Sequence, residues 1–298
     1  MPDIQYTRVL RGIFSAIPSH NHAALKATGR AGRNLPAAVM TATLLVVLVT
    51  ASLAFYFEFF VAFIMLLCWA GIWELGGAYA RVGIHMSLLP LYVGSAGMLI
   101  CAWTLGAEAL LAALFLTIFA SVLWRVLDRW DDGKLRDICA SAFTAVYVPF
   151  LASFIVLLLR EHHAAWVVGL QILLVALSDT GGWATGILIG RHPMAPRLSP
   201  KKSWEGFAGS LLACTVGAVV CFSFVNIHWA WGFIVGPMMA FSATIGDLIE
   251  SLIKREVGLK DMSQILPGHG GVLDRADSIL LTAPVLHVLL LIAEGGHV

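Results

Sequence analysis

The chain has 298 residues, 59% of them hydrophobic and only 12% charged, with a formal net charge of +1. An ordinary soluble domain carries about 25% charged residues, so this chain has too little polar surface to cover a water-soluble core, and no nucleic-acid partner is expected. Cys68, Cys101, Cys139, Cys214 and Cys221 lie in or beside apolar runs without CxxC spacing, so they read as small buried hydrophobes, with neither a zinc site nor a disulfide framework implied.

In chain order, residues 1–35 mix Arg, Lys and His with Gly, Ser and Pro and read as a basic cytoplasmic arm suited to anionic lipid. The apolar run near Pro36 follows a polar stretch too long for the n-region of a signal peptide, so it reads as a first membrane span. Nine segments approach the roughly 20 apolar residues a spanning helix needs: 36–55, 57–80, 86–104, 106–124, 139–159, 164–190, 206–225, 229–253 and 277–294. The stretch 206–246 has no Asp, Glu, Lys or Arg and is too long for one helix; Asn226 with His228 supplies the turn.

Nine spans put the termini on opposite sides. With the N-terminus inside, the inner segments are 1–35, 81–85, 125–138, 191–205 and 254–276, and they contain 18 of the 19 lysines and arginines; Arg160 alone lies outside. That asymmetry follows the positive-inside rule. The expected fold is therefore an all-α polytopic membrane protein of about nine transmembrane helices, N-terminus cytoplasmic and C-terminus outside. Residues 36–298 are expected to form its membrane domain, with the half that carries its candidate site at about 164–280.

An ionisable group inside a span marks a functional site unless a structural partner offsets its desolvation. Glu58 and Glu108 sit at helix starts, where a carboxylate suits the helix dipole. Glu74, near the inner end of the second span, either faces a cavity or snorkels to water. Asp179, within Ser178-Asp179-Thr180-Gly181-Gly182, reads as part of a locally loose span lining a cavity, or else as a protonated interhelical hydrogen-bonding group. Asp247, Glu250 and Lys254 share one helix face. Glu250 and Lys254 are spaced as an ion pair, while Asp247, with Ser251 one turn on, offers oxygen ligands of the kind magnesium prefers.

Two further segments suit phosphate. Ser199-Pro200 reads as an N-cap and first helical position, which places Lys201 and Lys202 in a first helical turn where an anionic ligand would explain them. Downstream, Lys254, Arg255 and Lys260 precede a loop with Gly268, His269, Gly270 and Gly271, then Asp274, Arg275 and Asp277 at the start of the last span. Clustered glycines allow close backbone approach to a ligand, and carboxylates among cations furnish polyphosphate–metal chemistry.

At these residues the sequence resembles the phosphatidate cytidylyltransferase (CDP-diacylglycerol synthase) family. The run Ser251-x-Ile253-Lys254-Arg255-x4-Lys260-Asp261-x5-Pro267-Gly268-His269-Gly270-Gly271-x2-Asp274-Arg275-x-Asp277-Ser278 is similar to its signature, as are Ser178–Gly182 and Ser199–Gly206 to its other marks; Ser203 stands where threonine is commoner. The match is strong over roughly 175–280. The resemblance implies CTP and phosphatidic acid as substrates, CDP-diacylglycerol and pyrophosphate as products, and a polar cavity open to the cytosol and inner leaflet. It also implies an all-helical fold, magnesium dependence and a homodimer; the sequence does not say whether a second, monovalent cation sits beside the magnesium. The spans with their charge asymmetry read as a multi-pass protein of the inner (cytoplasmic) membrane.

On that basis Asp247 and Asp274 are expected to hold magnesium, with Asp179 or Asp277 completing its shell. Lys254, Arg255, Lys260, Arg275, Gly270 and Gly271 are expected to grip the triphosphate, and Lys201, Lys202 and Ser203 the lipid headgroup. His269 orients a phosphate or protonates the leaving group; binding is favoured because a phosphate dianion needs no general base. The rival readings are a CTP-dependent kinase acting on a polyprenol, and a secondary transporter using intramembrane carboxylates.

Overall fold

The computed structural model describes residues 35–128, 133–225, 227–266 and 270–295. Their chain divides into two compact units, one from residues up to Phe150 together with Val257–Asp274, the other from Leu151–Glu256 together with Arg275 onward.

The first unit holds α1 (Leu35–Phe55), α2 (Phe57–Arg81), α3 (Leu88–Thr104), α4 (Ala107–Leu127) and α5 (Lys134–Ala145), the last running into a π-helical turn at Val146–Phe150. Pro149 has no N–H to give to a regular α turn, and the π turn accommodates it. Ile72 and Leu75 of α2, Leu91, Met98 and Leu99 of α3 and Leu110 of α4 form its buried core. Polar groups in that core find partners, as apolar surroundings require. The Trp69 indole N–H donates to the Tyr92 carbonyl at 3.1 Å and the Ser95 hydroxyl at 3.0 Å, linking α2 to α3. Arg125, at the end of α4, is buried against Asp137 of α5: its Nε and Nη2 lie 2.8 and 2.7 Å from the same carboxylate oxygen. The other oxygen of Asp137 accepts from the His85 N–H at 2.9 Å.

The second unit holds α6 (Leu151–His162), α7 (Trp166–Ile189), a short antiparallel hairpin of β1 (Pro193–Ala195) and β2 (Ser199–Ser203), α8 (Trp204–Phe222), a 3-10 turn at Trp229–Trp231, α9 (Gly232–Glu256) and α10 (Leu273–Gly295), the first two residues of which belong to the first unit. Small residues let these helices approach closely without a hydrophobic driving force between them. A Cβ on Gly181 of α7 would stand 2.7 Å from the Gly209 carbonyl of α8, and one on Gly232 of α9 would stand 2.5 Å from the Val219 backbone nitrogen. Ser210 of α8 donates to the Ser178 carbonyl of α7 at 2.6 Å, and Gln171 of α7 donates to the Ile279 carbonyl of α10 at 2.8 Å. On the opposite side of α8, Leu212, Val216 and Val220 form an exposed apolar stripe, four residues apart, of the kind a hydrocarbon environment covers.

Every one of the nine apolar segments is helical over most of its length. Among the described residues, seven helices are long and apolar enough to cross a membrane, α5, the π turn and α6 counting as one; Leu88–Thr104 and the described part of α1, Met40–Phe55, are shorter apolar helices. Apart from the short β1–β2 hairpin the described residues form no sheet, and the helices are those of a multi-pass membrane protein. The turn expected at 226–228 lies between the end of α8 and the 3-10 turn, where the His228 ring accepts from the Ala230 N–H at 3.3 Å; Asn226 itself is outside the described residues.

Two local expectations are corrected. Ser199 and Pro200 do not start a helix: they lie in β2, and the helix begins at Trp204 with Ser203 as its N-cap, the Ser203 hydroxyl accepting from the Gly206 N–H at 3.1 Å. The residue before a proline is pushed toward extended backbone, and Ser203 followed by Glu205 in the first turn is the better cap. Lys201 and Lys202 are therefore hairpin residues, not a first helical turn. Likewise Ser178–Gly182 is not locally loose. It runs inside unbroken α7, and its glycines serve the tight approach to α8.

Candidate active site

The hairpin is tied down at its base. Glu205, in the first turn of α8, accepts from the backbone N–H groups of Arg191 and His192 at 3.1 and 3.2 Å, and its other oxygen lies 2.6 Å from the His192 ring nitrogen. The Trp204 N–H donates to the His192 carbonyl at 3.0 Å. With its ends held, the hairpin presents Lys201, Lys202 and Ser203 to a cavity of about 310 Å³, lined also by Asp179 and Trp183 of α7 and Asp247 of α9. Inside it, Lys202 Nζ lies 2.5 Å from Asp247 Oδ2. A cation expected for a headgroup and a carboxylate expected for a metal thus share one space.

Asp247 is also one corner of a carboxylate group. Oxygens of Asp247, Glu250 and Asp277 all lie within 4.8 Å of one another. Asp247 and Glu250 come from successive turns of α9, and Asp277 from the second turn of α10. Gly246 makes this meeting feasible, since a Cβ there would stand 2.5 Å from the Asp277 carbonyl oxygen. Glu250 is buried and carries Lys254 one turn on, Nζ to Oε2 2.5 Å, as the i, i+4 spacing anticipates. The Ser251 hydroxyl reaches Asp247 at 3.5 Å, and Asp277 accepts from the Ser278 N–H at 2.7 Å. Lys202 on Asp247 and Lys254 on Glu250 offset part of the repulsion among the three carboxylates, and a bound cation would offset the rest. Donors that are all oxygen fit a hard divalent ion such as magnesium. Arg255 and Arg275 are exposed, and the Arg255 Nε reaches the Leu198 carbonyl at 3.4 Å.

The loop residues of the motif belong to the first unit, where Glu74 organises them. Its carboxylate is 1% exposed and accepts from the Ser263 hydroxyl at 2.6 Å, the Val272 N–H at 2.8 Å and the Leu273 N–H at 2.9 Å. Neither expectation for Glu74 holds: it neither snorkels nor lines a cavity, because two backbone N–H groups and the Ser263 hydroxyl hold its buried carboxylate. Asp274 accepts from the Gly271 N–H at 2.6 Å and the Met262 N–H at 3.1 Å. Gly270 has φ +90°, and a Cβ on it would stand 2.6 Å from the Asp274 carboxylate, so the turn demands glycine twice over. Lys260 is exposed in the same loop, and His269 lies outside the described residues.

Asp247 and Asp277 are therefore brought together, Asp179 and Lys202 share the cavity with Asp247, and Asp274 is held in the loop of the first unit. Three contributors go beyond the residues expected to bind ligand. Glu250, which its spacing places on one helix face with Asp247 and Lys254, pairs with Lys254 and also joins the carboxylate group. Gly246 and the Glu205 clamp depend on contacts between segments and left no local signature.

The family-level profile described as "Cytidylyltransferase family" matches residues 36–293. A Mycobacterium bovis protein named phosphatidate cytidylyltransferase is 35% identical over 277 residues, covering 88% of this chain and 90% of its own length. One of the same name from Mycobacterium leprae is 34% identical over 282 residues, 89% of this chain and 90% of the relative. A Staphylococcus aureus protein, again so named, is 30% identical over 219 residues, 72% and 79% respectively.

Proposed function

Because the chain belongs to the cytidylyltransferase family, we propose that it transfers cytidylate from CTP to phosphatidic acid, forming CDP-diacylglycerol and pyrophosphate for phospholipid synthesis. The observation that carries this reading is the cavity in which Lys202 meets Asp247, with Glu250 and Asp277 close by. A cation of the kind that binds phosphate beside carboxylates of the kind that bind a divalent ion supports the reading.

In the reaction an oxygen of the phosphatidate phosphate bonds to the α-phosphorus of CTP, and the bond from that phosphorus to the bridging oxygen breaks. The electron pair leaves with pyrophosphate. Both reactants are anionic, so their repulsion must be offset before attack. Lys201 and Lys202, with Ser203 ordering the strand end, hold the lipid phosphate. Lys254 and Arg255 of α9 and Arg275 of α10 receive the triphosphate. Asp247 and Asp277 would hold magnesium, with Glu250 kept in place by Lys254. When bound, the metal neutralises charge on the α-phosphate and leaving group. Asp179, Asp274, Lys260, Gly270, Gly271 and His269 are assigned to metal or nucleotide on the strength of the motif. A second, monovalent cation is compatible with the same carboxylates.

All nine apolar helices are taken to span the bilayer, with the N-terminus and these cations on the cytoplasmic side of the cell membrane, supported by the concentration of lysine and arginine in the inner segments. A homodimer is the proposed assembly.

The test uses purified protein in detergent with phosphatidic acid, magnesium and CTP labelled at the α-phosphorus. Label in the lipid with release of pyrophosphate is the expected result. Transfer of γ-label to a polyprenol instead would overturn the reaction assigned here. In the same assay Asp247→Asn abolishes turnover while the protein still inserts and folds; retained activity would sink the metal assignment.

A further inference from the structure

Glu74 lies in none of the segments that resemble a known motif, and it stands about two hundred positions before the loop it contacts. A buried carboxylate with three donors aimed at it is costly to assemble, since its desolvation must be offset by all of them together. The donors are informative. Leu273 opens α10 and Val272 immediately precedes it, so their N–H groups are among those a helix start leaves without intrahelical partners. Glu74 therefore acts as an N-cap delivered from another helix, its negative charge at the positive end of the α10 dipole. Its third donor, the Ser263 hydroxyl, itself accepts from the Ile265 N–H at 3.2 Å, so the same carboxylate reaches back into the loop before the glycines.

Two glycines make the approach possible. A Cβ on Gly271 would stand 2.6 Å from the Glu74 carboxylate, and one on Gly71, a turn earlier in α2, would stand 3.1 Å from the Leu273 side chain. Asp274 divides the remaining work, accepting from Gly271 and Met262. Glu74 and Asp274 thus hold consecutive N–H groups, Gly271 by one and Val272 and Leu273 by the other.

We propose that Glu74 is a positioning residue for cytidylyl transfer: by capping α10 from α2 and tethering Ser263, it sets the place of Asp274 and of the Gly270–Gly271 turn. This rests on the reading of Asp274 and that turn as metal and nucleotide contacts. Glu74 touches no substrate. It acts through backbone groups, and Asp274 takes its position from the helix start that Glu74 secures.

The test compares Glu74→Gln, Ser263→Ala and Asp274→Asn, each measured per folded enzyme. Glu74→Gln places an amide donor against backbone donors; Ser263→Ala removes one contact of the three and preserves folding should the first variant fail. The expected result for Glu74→Gln is a roughly 100-fold fall in kcat, the scale of a displacement of about 1 Å at a reacting centre. The magnesium concentration for half-maximal activity rises several-fold and KM for phosphatidic acid stays unchanged. Ser263→Ala shows the same pattern at a few-fold.

Independently of turnover, hydrogen–deuterium exchange of the amides at 271–275 accelerates in both variants while α3 and α4 exchange as in wild type. A lower melting temperature with wild-type kcat, magnesium dependence and exchange at 271–275 would reduce Glu74 to a structural role and overturn the proposal. If Asp274→Asn abolishes turnover and Glu74→Gln does not alter it, positioning alone is refuted. Wild-type behaviour in Asp274→Asn would remove the site reading on which it rests.

Discussion

Replacing Gly246 by alanine tests whether the carboxylate group depends on how closely α9 approaches α10. The added Cβ would stand 2.5 Å from the Asp277 carbonyl oxygen, 3.0 Å from its carbonyl carbon and 3.1 Å from Ser278 Cα. All three are backbone atoms, so no side chain can rotate away. Ordinary contact begins near 3.4 Å, so the two backbones must part by about 0.9 Å. Overpacking of this kind costs about 1–3 kcal/mol, against which alanine recovers about 1 kcal/mol of helix propensity over glycine. The net loss of stability is therefore small, on the order of 1 kcal/mol. Activity should suffer far more. Asp247 follows Gly246 directly and Asp277 owns the carbonyl that is struck, so the separation falls on two of the three carboxylates. A displacement of about 1 Å at a reacting centre costs roughly 100-fold in rate. The assay is transfer of α-labelled cytidylate to phosphatidic acid per folded protein, alongside thermal unfolding in detergent. Full activity at wild-type stability would refute the claim that Gly246 sets the spacing of the carboxylates.

Asp137→Ala strips Arg125 of its main buried partner and should destabilise the protein by roughly 3 kcal/mol, the low end for breaking a buried pair because Asp128 still lies 3.1 Å from Arg125. Thermal unfolding checks this, and activity per folded molecule should remain at the wild-type level. Lys202→Met keeps the bulk of the side chain but removes the cation next to Asp247. It should raise KM for phosphatidic acid about 10-fold, the loss of one charge-assisted contact, and titration of the lipid in mixed micelles would show it. An unchanged KM would take Lys202 out of headgroup binding.

How much of this was legible in the sequence follows from the range over which each interaction acts. Nine apolar segments and their helical state could be read directly. Each depends on the composition of a stretch about 20 residues long, and a bilayer leaves few alternatives to helix for such a stretch. The Glu250–Lys254 pair was equally legible, since i, i+4 spacing determines contact within a helix.

Misreadings arose where a local signal had two outcomes. Ser199-Pro200 starts helices and also favours extended backbone, and the choice fell to Ser203 and Glu205 once the hairpin could close on itself. Paired glycines at 181–182 suggest looseness in isolation but permit close packing once α8 lies against them. Tertiary structure alone decided the rest. Asp247 and Asp277 are 30 positions apart and meet because Gly246 has no side chain; Glu74 caps a helix that begins 199 residues later. Such contacts depend on which helix faces which, and that is decided by the summed packing of whole helices rather than by the spacing of residues along any one of them.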